Sequence, residues 1–81
     1  MIDMPVVLRF GRFKFVIHPQ DHSPAHVHVL ADGAEAKFDI KSGNCIAVYG
    51  FSQRTINLLS EVVLENTDLL TEAWKDNEGQ E

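Results

Sequence analysis

Residues 25–40 read AHVHVLADGAEAKFDI, and this stretch decides the fold. Apolar residues recur at every second position on both sides of Asp32-Gly33, which is typical of two strands that are each buried on one face. An Asp-Gly pair between two such runs is a strong signal for a two-residue type I′ turn. The stretch therefore predicts an antiparallel hairpin that turns tightly at Asp32-Gly33.

The two-residue turn also predicts which residues of this hairpin face each other, because loop length sets the register. The pairs on one face are apolar and belong in the core: Val29 with Ala36, Val27 with Phe38, and Ala25 with Ile40. The pairs on the other face are mostly polar: Leu30 with Glu35, His28 with Lys37, and His26 with Asp39. We therefore expect the two histidines on the solvent side of the sheet or beneath a partner, and not in the core.

A second hairpin is predicted nearer the N-terminus, where apolar residues alternate over 6–10 and 13–17. The intervening Gly11-Arg12 suits a type II′ turn, which has glycine first. Its register places six apolar side chains on one face, in the pairs Val6 with Ile17, Leu8 with Phe15, and Phe10 with Phe13. On the other face Arg9 lies opposite Lys14, and because like charges across a hairpin are unfavourable, an anion or a carboxylate would relieve that pair.

The last third of the chain changes to a helical period. Residues 45–49 read as a fifth strand, and Ser52 is a suitable N-cap for a helix that begins at Gln53. Asn66-Thr67 interrupts the apolar stripe of that helix, and Thr67-Asp68 has the form of a new N-cap. We therefore expect either two helices with a break at this point or one continuous bent helix.

These elements predict an α+β fold for a single domain over residues 1–81. The sheet is antiparallel or mixed, has about five strands (two hairpins and one strand), and packs against one or two C-terminal helices. Trp74, on the helical stripe, is expected to anchor the core or an interface. A chain of 81 residues buries a modest fraction of its surface, so oligomerisation, a metal or a partner could supply further burial.

Composition narrows the class of protein. An apolar content of 44 % is ordinary for a folded domain, and a net charge of −5 argues against a general nucleic-acid binder, which needs a basic footprint. Cys45 is the single cysteine, which excludes an internal disulfide and fits a reducing cytosol. No apolar run approaches the length of a membrane span, and the N-terminus lacks a signal-peptide pattern. We expect a cytoplasmic protein that does not bind membranes.

The histidine-rich segment is the candidate site. Imidazole and carboxylate donors from His22, His26, His28 and Asp39 would suit one divalent transition metal such as zinc or nickel, with a position open to water. The position of Lys37 argues against a metal site, because Lys37 is predicted to pair with His28 and an ammonium beside a dication is unfavourable. The alternative is an anion site, in which His26, His28 and Lys37 bind a phosphate or a carboxylate.

The same residues could act in catalysis. In a metal-dependent or acid/base hydrolase, with a ribonuclease as one form, His26 would be the base or a ligand and His28 the acid or a ligand. Lys37 and Arg9 would then stabilise a phosphate. A further alternative is a structural dimer without a catalytic site, in which the histidines only make the interaction pH-dependent. The residue pattern does not decide among these alternatives.

At these residues the chain resembles the bacterial family catalogued as domain of unknown function 4160. The matching pieces are Met4-Pro5-Val6-Val7-Leu8-Arg9, a segment with His22, Pro24, His26, Val27, His28 and Val29, then Gly33, Glu35-Ala36-Lys37-Phe38, and Glu72-Ala73-Trp74. Their order and spacing cover nearly the whole chain. The family often has proline where this chain has Ala25, and an aromatic residue or serine where it has His18. The second difference indicates that His18 is not part of a shared site.

The resemblance implies a small bacterial protein encoded beside another small domain of unknown function, number 2442, in an arrangement similar to a toxin–antitoxin pair. The family motif falls on His22, His26, His28, Glu35 and Lys37. Our leading hypothesis is a component of such a two-gene module that binds a small cognate partner protein through these residues and Asp39, with a metal at the histidines. A homo-oligomer is the alternative assembly.

Overall fold

The computed structural model describes residues 6–18 and 23–78. Over these residues the chain forms five strands followed by two helices, which confirms the predicted α+β fold. The elements are β1 (Val6–Phe10), β2 (Phe13–Val16), β3 (His26–Ala31), β4 (Ala34–Asp39), β5 (Cys45–Tyr49), α1 (Gln53–Glu65) and α2 (Thr67–Glu78).

The five strands of the described chain form one sheet in the order β1-β2-β3-β4-β5, and every neighbouring pair is antiparallel. The sheet is thus a simple meander and not a mixed sheet. The short connections explain this, because parallel neighbours need a crossover of a dozen or more residues. β3 lies at the centre of the sheet, and β1 and β5 form its two edges.

The central hairpin has the predicted turn and register. Asp32 and Gly33 have φ angles of 51° and 80°, and positive φ at both central residues identifies a type I′ turn. Every predicted pair that lies within the two strands is confirmed. Ala25 and Ile40 lie just beyond the ladder, where the Ile40 N–H donates to the Ala25 carbonyl oxygen at 3.1 Å.

The first hairpin differs from the prediction at one end. Gly11 has a φ of +57° and Arg12 does not share this positive φ, which is the pattern of a type II′ turn. Three predicted pairs are confirmed, namely Leu8 with Phe15, Arg9 with Lys14, and Phe10 with Phe13. The fourth is wrong, since the register shifts between Val6 and Leu8 and Val6 pairs with Val16 instead of Ile17. An extra residue in one strand has this effect, because two residues then lie opposite one.

The helical segment is divided at Asn66 into two helices. The Asn66 N–H donates to two carbonyls in the last turn of α1, and the Asn66 carbonyl oxygen accepts the first bond of α2, from the Leu70 N–H at 2.9 Å. The expected break is therefore confirmed, but the expected N-cap is wrong. The Thr67 hydroxyl donates to the Leu64 carbonyl oxygen at 2.9 Å, so it satisfies the end of α1 instead of the start of α2.

The core lies between one face of the sheet and the two helices. Its largest fully buried side chains are Phe15, Phe38, Ile17, Ile40, Leu59, Leu70, Val27, Val29 and Val63. Trp74 of α2 is 4 % exposed and belongs to this cluster, which confirms its expected role as a core anchor. Ser52 caps α1 as predicted, since its Oγ accepts from the Thr55 N–H at 3.1 Å. Neither helix of the described chain has the length and apolar character needed to cross a membrane.

Trp74→Ala should lower the free energy of unfolding by about 3–5 kcal/mol, because it removes a large buried side chain and leaves a cavity. Tyr49→Ala is the matched aromatic control, since Tyr49 is 76 % exposed and its loss should change that free energy by less than about 0.5 kcal/mol. Urea unfolding followed by circular dichroism measures both variants. Equal effects of the two substitutions would contradict the placement of Trp74 in the core.

Candidate functional site

The face of the sheet that points away from the helices carries most of the polar side chains. Two rows of paired residues cross it: Arg9, Lys14, Leu30, Glu35 and Tyr49 in the first, and Val16, His28, Lys37 and Ala47 in the second. We name these two rows the histidine face. Both rows lie on one face because every second residue of a strand points the same way.

His28 lies at the centre of a cluster on this face. Its Nδ1 lies 3.1 Å from Glu35 Oε2, and its ring lies edge-on to that of His18, with 3.9 Å between the ring centroids. One ligand atom from each of His18, His28 and Glu35 lies within 4.8 Å of the other two. The side chain of His28 is only 13 % exposed, whereas that of Glu35 is 50 % exposed. The cluster therefore combines an imidazole whose rotation is restricted by burial with a carboxylate whose side chain has room to rotate.

Strand register explains why these three residues meet. Glu35 pairs with Leu30, so it lies diagonally across from His28, within reach of a long side chain. Val16 pairs with His28 across β2 and β3, and His18 follows two residues later in the chain. The expectation that His18 is not part of a shared site rests on the family's different residue at this position, and it does not take the pairing of β2 with β3 into account. Alternation along β2 places His18 on the same face as Val16, but no turn motif in the 17–25 connection specifies that this strand pairs with β3.

His26 lies in a different environment from the one expected. It is 7 % exposed, and its ring lies 5.2 Å from the ring of Trp74, measured between centroids. The expectation that it faces solvent is therefore wrong, because Trp74 reaches the end of β3 and covers it. Its Nδ1 lies 2.8 Å from the Pro24 carbonyl oxygen, an acceptor, so Nδ1 carries the proton of that hydrogen bond. The ring still lies 5.3 Å from that of His28.

Asp39 pairs with His26 in the strand ladder as predicted, but its carboxylate serves the turn after β4. Oδ1 accepts hydrogen bonds from the backbone N–H groups of Lys41 and Ser42, each at 2.9 Å. The hydrogen bond from the Ser42 backbone is the main cause that lowers the pKa of the Asp39 carboxyl below its ordinary value. Asp39 is thus a turn residue and not part of the histidine–glutamate cluster. His22, the fourth predicted ligand, lies outside the described residues.

A cleft of about 270 Å³ opens beside the cluster, between β3, β4 and β5. We name it the β5 cleft. One wall, on β3 and β4, carries His28, Glu35, Ala36 and Lys37, and the neighbouring wall on β5 carries Ala47, Val48 and Tyr49. Within the described chain, no carboxylate forms an ion pair with Lys37.

Arg9, the other predicted phosphate-binding residue, is separated from this cleft. It lies on β1 opposite Lys14, and β2 separates it from His28. The structure therefore brings Lys37 to the histidines and leaves Arg9 on the far side of the face.

The donor set of the cluster fits a transition metal. Two imidazoles and one carboxylate, with a fourth position open, occur in catalytic zinc sites, and imidazole also suits nickel, copper and iron. Ligand atoms about 2.0–2.2 Å from a tetrahedral ion lie about 3.3 Å apart. The ligand atoms of the cluster lie within 4.8 Å of one another, so an ion would draw them together by up to about 1.5 Å, which rotation of the side chains can provide.

Comparison with models of protein families gives a match over most of the chain. The family model for Domain of unknown function (DUF4160) matches residues 12–75, which is most of the 81-residue chain. This range includes His18, His28, Glu35 and Lys37. No curated protein and no solved structure matches the chain.

Asp39→Asn should lower the free energy of unfolding by about 1 kcal/mol at pH 7, because a neutral amide is a weaker acceptor for the two turn N–H groups. The pKa of Asp39 is lowered by folding, so this stabilisation is fully present above the ordinary carboxyl pKa. It is lost as the pH falls through the lower pKa of the folded chain. Urea unfolding between pH 7 and pH 2 measures the difference from the wild-type chain.

The exposed Asp76 provides the matched control for this prediction, because it lies in α2 and takes no part in the turn. Asp76→Asn should change the free energy of unfolding by less than about 0.5 kcal/mol at every pH. A loss for Asp39→Asn that stays constant from pH 7 to pH 2 would contradict the role given to the ionised carboxylate.

Proposed function

The chain belongs to the family described as Domain of unknown function (DUF4160), and we propose that it binds one divalent transition metal, zinc or nickel, through His18, His28 and Glu35. The single observation that supports this most strongly is that a ligand atom from each of the three residues lies within 4.8 Å of the others. Clusters of exposed acids are common without an ion. This cluster differs, because two of its three donors are partly buried imidazoles.

The metal set that we propose differs from the set expected from sequence. His28 is common to both, and Glu35 and His18 take the places given to Asp39 and His26. His22, the fourth expected ligand, lies outside the described residues. The change has a physical basis, since the Asp39 carboxylate holds a turn and the His26 ring is packed on Trp74. Glu35 has an exposed side chain that already contacts His28, so it needs no large rearrangement to become a ligand.

Metal binding is tested by isothermal titration of zinc and of nickel into the untagged chain, with metal content measured by mass spectrometry. We expect one equivalent of metal. Glu35→Gln and His28→Gln should each weaken the affinity for the metal by about 100-fold or more. Loss of a residue that only hydrogen-bonds to a ligand costs about 10- to 100-fold, and loss of a ligand itself should cost at least as much. Glu61→Gln on the exposed face of α1 is the matched control and should have no effect.

Two outcomes would overturn the metal proposal. One is the absence of stoichiometric metal in the wild-type chain. The other is equal affinity in Glu35→Gln and Glu61→Gln. Since the Glu35 side chain is half exposed, its variant is expected to fold, and circular dichroism checks that it does.

A second candidate function is binding of the cognate partner protein of a toxin–antitoxin-like two-gene module. It is favoured by β5, one of the two edge strands of the sheet. Ile46, Val48 and Tyr49 are 48 %, 50 % and 76 % exposed, and residues 45–49 contain no charge. Edge strands that stay unpaired usually carry charges that prevent further pairing. An uncharged apolar edge is instead suited to accept a strand from a partner.

Co-expression with the product of the neighbouring gene tests this second function. We expect a stable complex that survives size-exclusion chromatography and is lost in Ile46→Lys, which places a charge on the edge strand. Leu58→Lys on α1 is the matched control, because Leu58 is 44 % exposed but lies away from the strand. Failure to form a complex would contradict partner binding, and so would a complex that Ile46→Lys and Leu58→Lys weaken equally. A homodimer that only Ile46→Lys disrupts would assign the edge to a second copy instead.

A further inference from the structure

We propose that the β5 cleft binds an organic phosphate monoester, with its phosphoryl oxygens on the bound metal and on Lys37. This inference rests on the metal site proposed above and names the class of ligand that the site takes. Three observations support it: the position of Lys37, the difference between the charged and the uncharged wall of the cleft, and the net charge of the metal with the charged wall.

Lys37 is held beside the metal ligands by the strand register. It pairs with His28 across β3 and β4, and it lies two residues from Glu35 on the same face of β4. All three line the β5 cleft. Lys37 is half-buried, and within the described chain no acid forms an ion pair with it. A cation held next to a metal site is unfavourable unless an anion lies between the two charges.

The charges of this wall match a phosphate monoester. A divalent metal, the Glu35 carboxylate and the Lys37 ammonium together leave two net positive charges. A phosphate monoester carries about −1.5 to −2 at pH 7, whereas a carboxylate carries a single charge. Phosphate also offers three oxygens, so one can bind the metal while another accepts a hydrogen bond from the lysine.

The neighbouring wall on β5 indicates that the ligand has an organic part. Ala47 pairs with Lys37 and Tyr49 pairs with Glu35, so β5 presents an uncharged surface directly beside the charged one. Tyr49 is 76 % exposed, which leaves its ring available to pack against an apolar or aromatic group. The volume of about 270 Å³ also leaves space beyond that needed for a phosphoryl group.

The experiment titrates phenyl phosphate and inorganic phosphate separately into the full-length chain, with and without one equivalent of zinc. Both should bind the zinc-loaded chain at least about tenfold more tightly than the zinc-free chain, because the metal supplies the main positive charge. Phenyl phosphate should bind more tightly than inorganic phosphate, since only phenyl phosphate reaches the apolar wall.

Two variants separate the two walls of the cleft. Lys37→Gln should weaken both compounds about tenfold, because it removes a charge-assisted hydrogen bond to the phosphoryl group. Tyr49→Ser should weaken phenyl phosphate several-fold and leave inorganic phosphate unchanged. Lys75→Gln on α2 is the matched control for charge and should change neither affinity.

The outcomes distinguish failure of this inference from failure of the metal proposal. If zinc itself does not bind, the proposed function fails. If zinc binds the wild-type chain and binds Glu35→Gln more weakly, but phenyl phosphate does not bind, the metal site stands and the phosphate site is overturned. The phosphate site is also overturned if Lys37→Gln behaves as Lys75→Gln does, or if phenyl phosphate and inorganic phosphate bind equally.

Discussion

The type I′ turn at Asp32-Gly33 is the constraint on which the rest of the structure depends. Both residues have positive φ, and a two-residue turn of this type allows a single register between β3 and β4. That register turns Val27 and Val29 toward the helices and His28 and Lys37 away from them. A slip of one residue would exchange the two faces, and it would place charged side chains in the core. Burial of the apolar face therefore also holds the histidine face in place.

Most of the fold could be predicted from the sequence, because it depends on local patterns that agree with one another. Alternation, the two glycine-containing turns and the Ser52 cap each predict the element that forms, and they predict most of the residue pairs as well. The errors lie where a local pattern does not determine the outcome. No motif marks the shift of register at Val6, and Thr67 is a good N-cap residue whose hydroxyl instead satisfies a carbonyl of α1.

Less of the candidate site could be predicted, because it depends on contacts between distant parts of the chain. Hairpin register placed His28 and Lys37 correctly. Nothing local indicated that Trp74, far along α2, would cover His26. Strand register places Asp39 opposite His26, but register does not show that the Asp39 carboxylate accepts hydrogen bonds from two backbone N–H groups of the turn. His18 was missed because its position depends on pairing between β2 and β3 across a nine-residue connection, which no turn motif specifies.

We propose that strand register brings two imidazoles and one carboxylate around a single metal ion. X-ray absorption at the zinc edge, on the chain loaded with one equivalent of zinc, tests it most directly. The claim predicts a first shell of nitrogen and oxygen at about 2.0–2.2 Å, with the outer scattering of two imidazole rings. A sulfur neighbour at about 2.3 Å, which would come from Cys45, or a shell without imidazole scattering would contradict it.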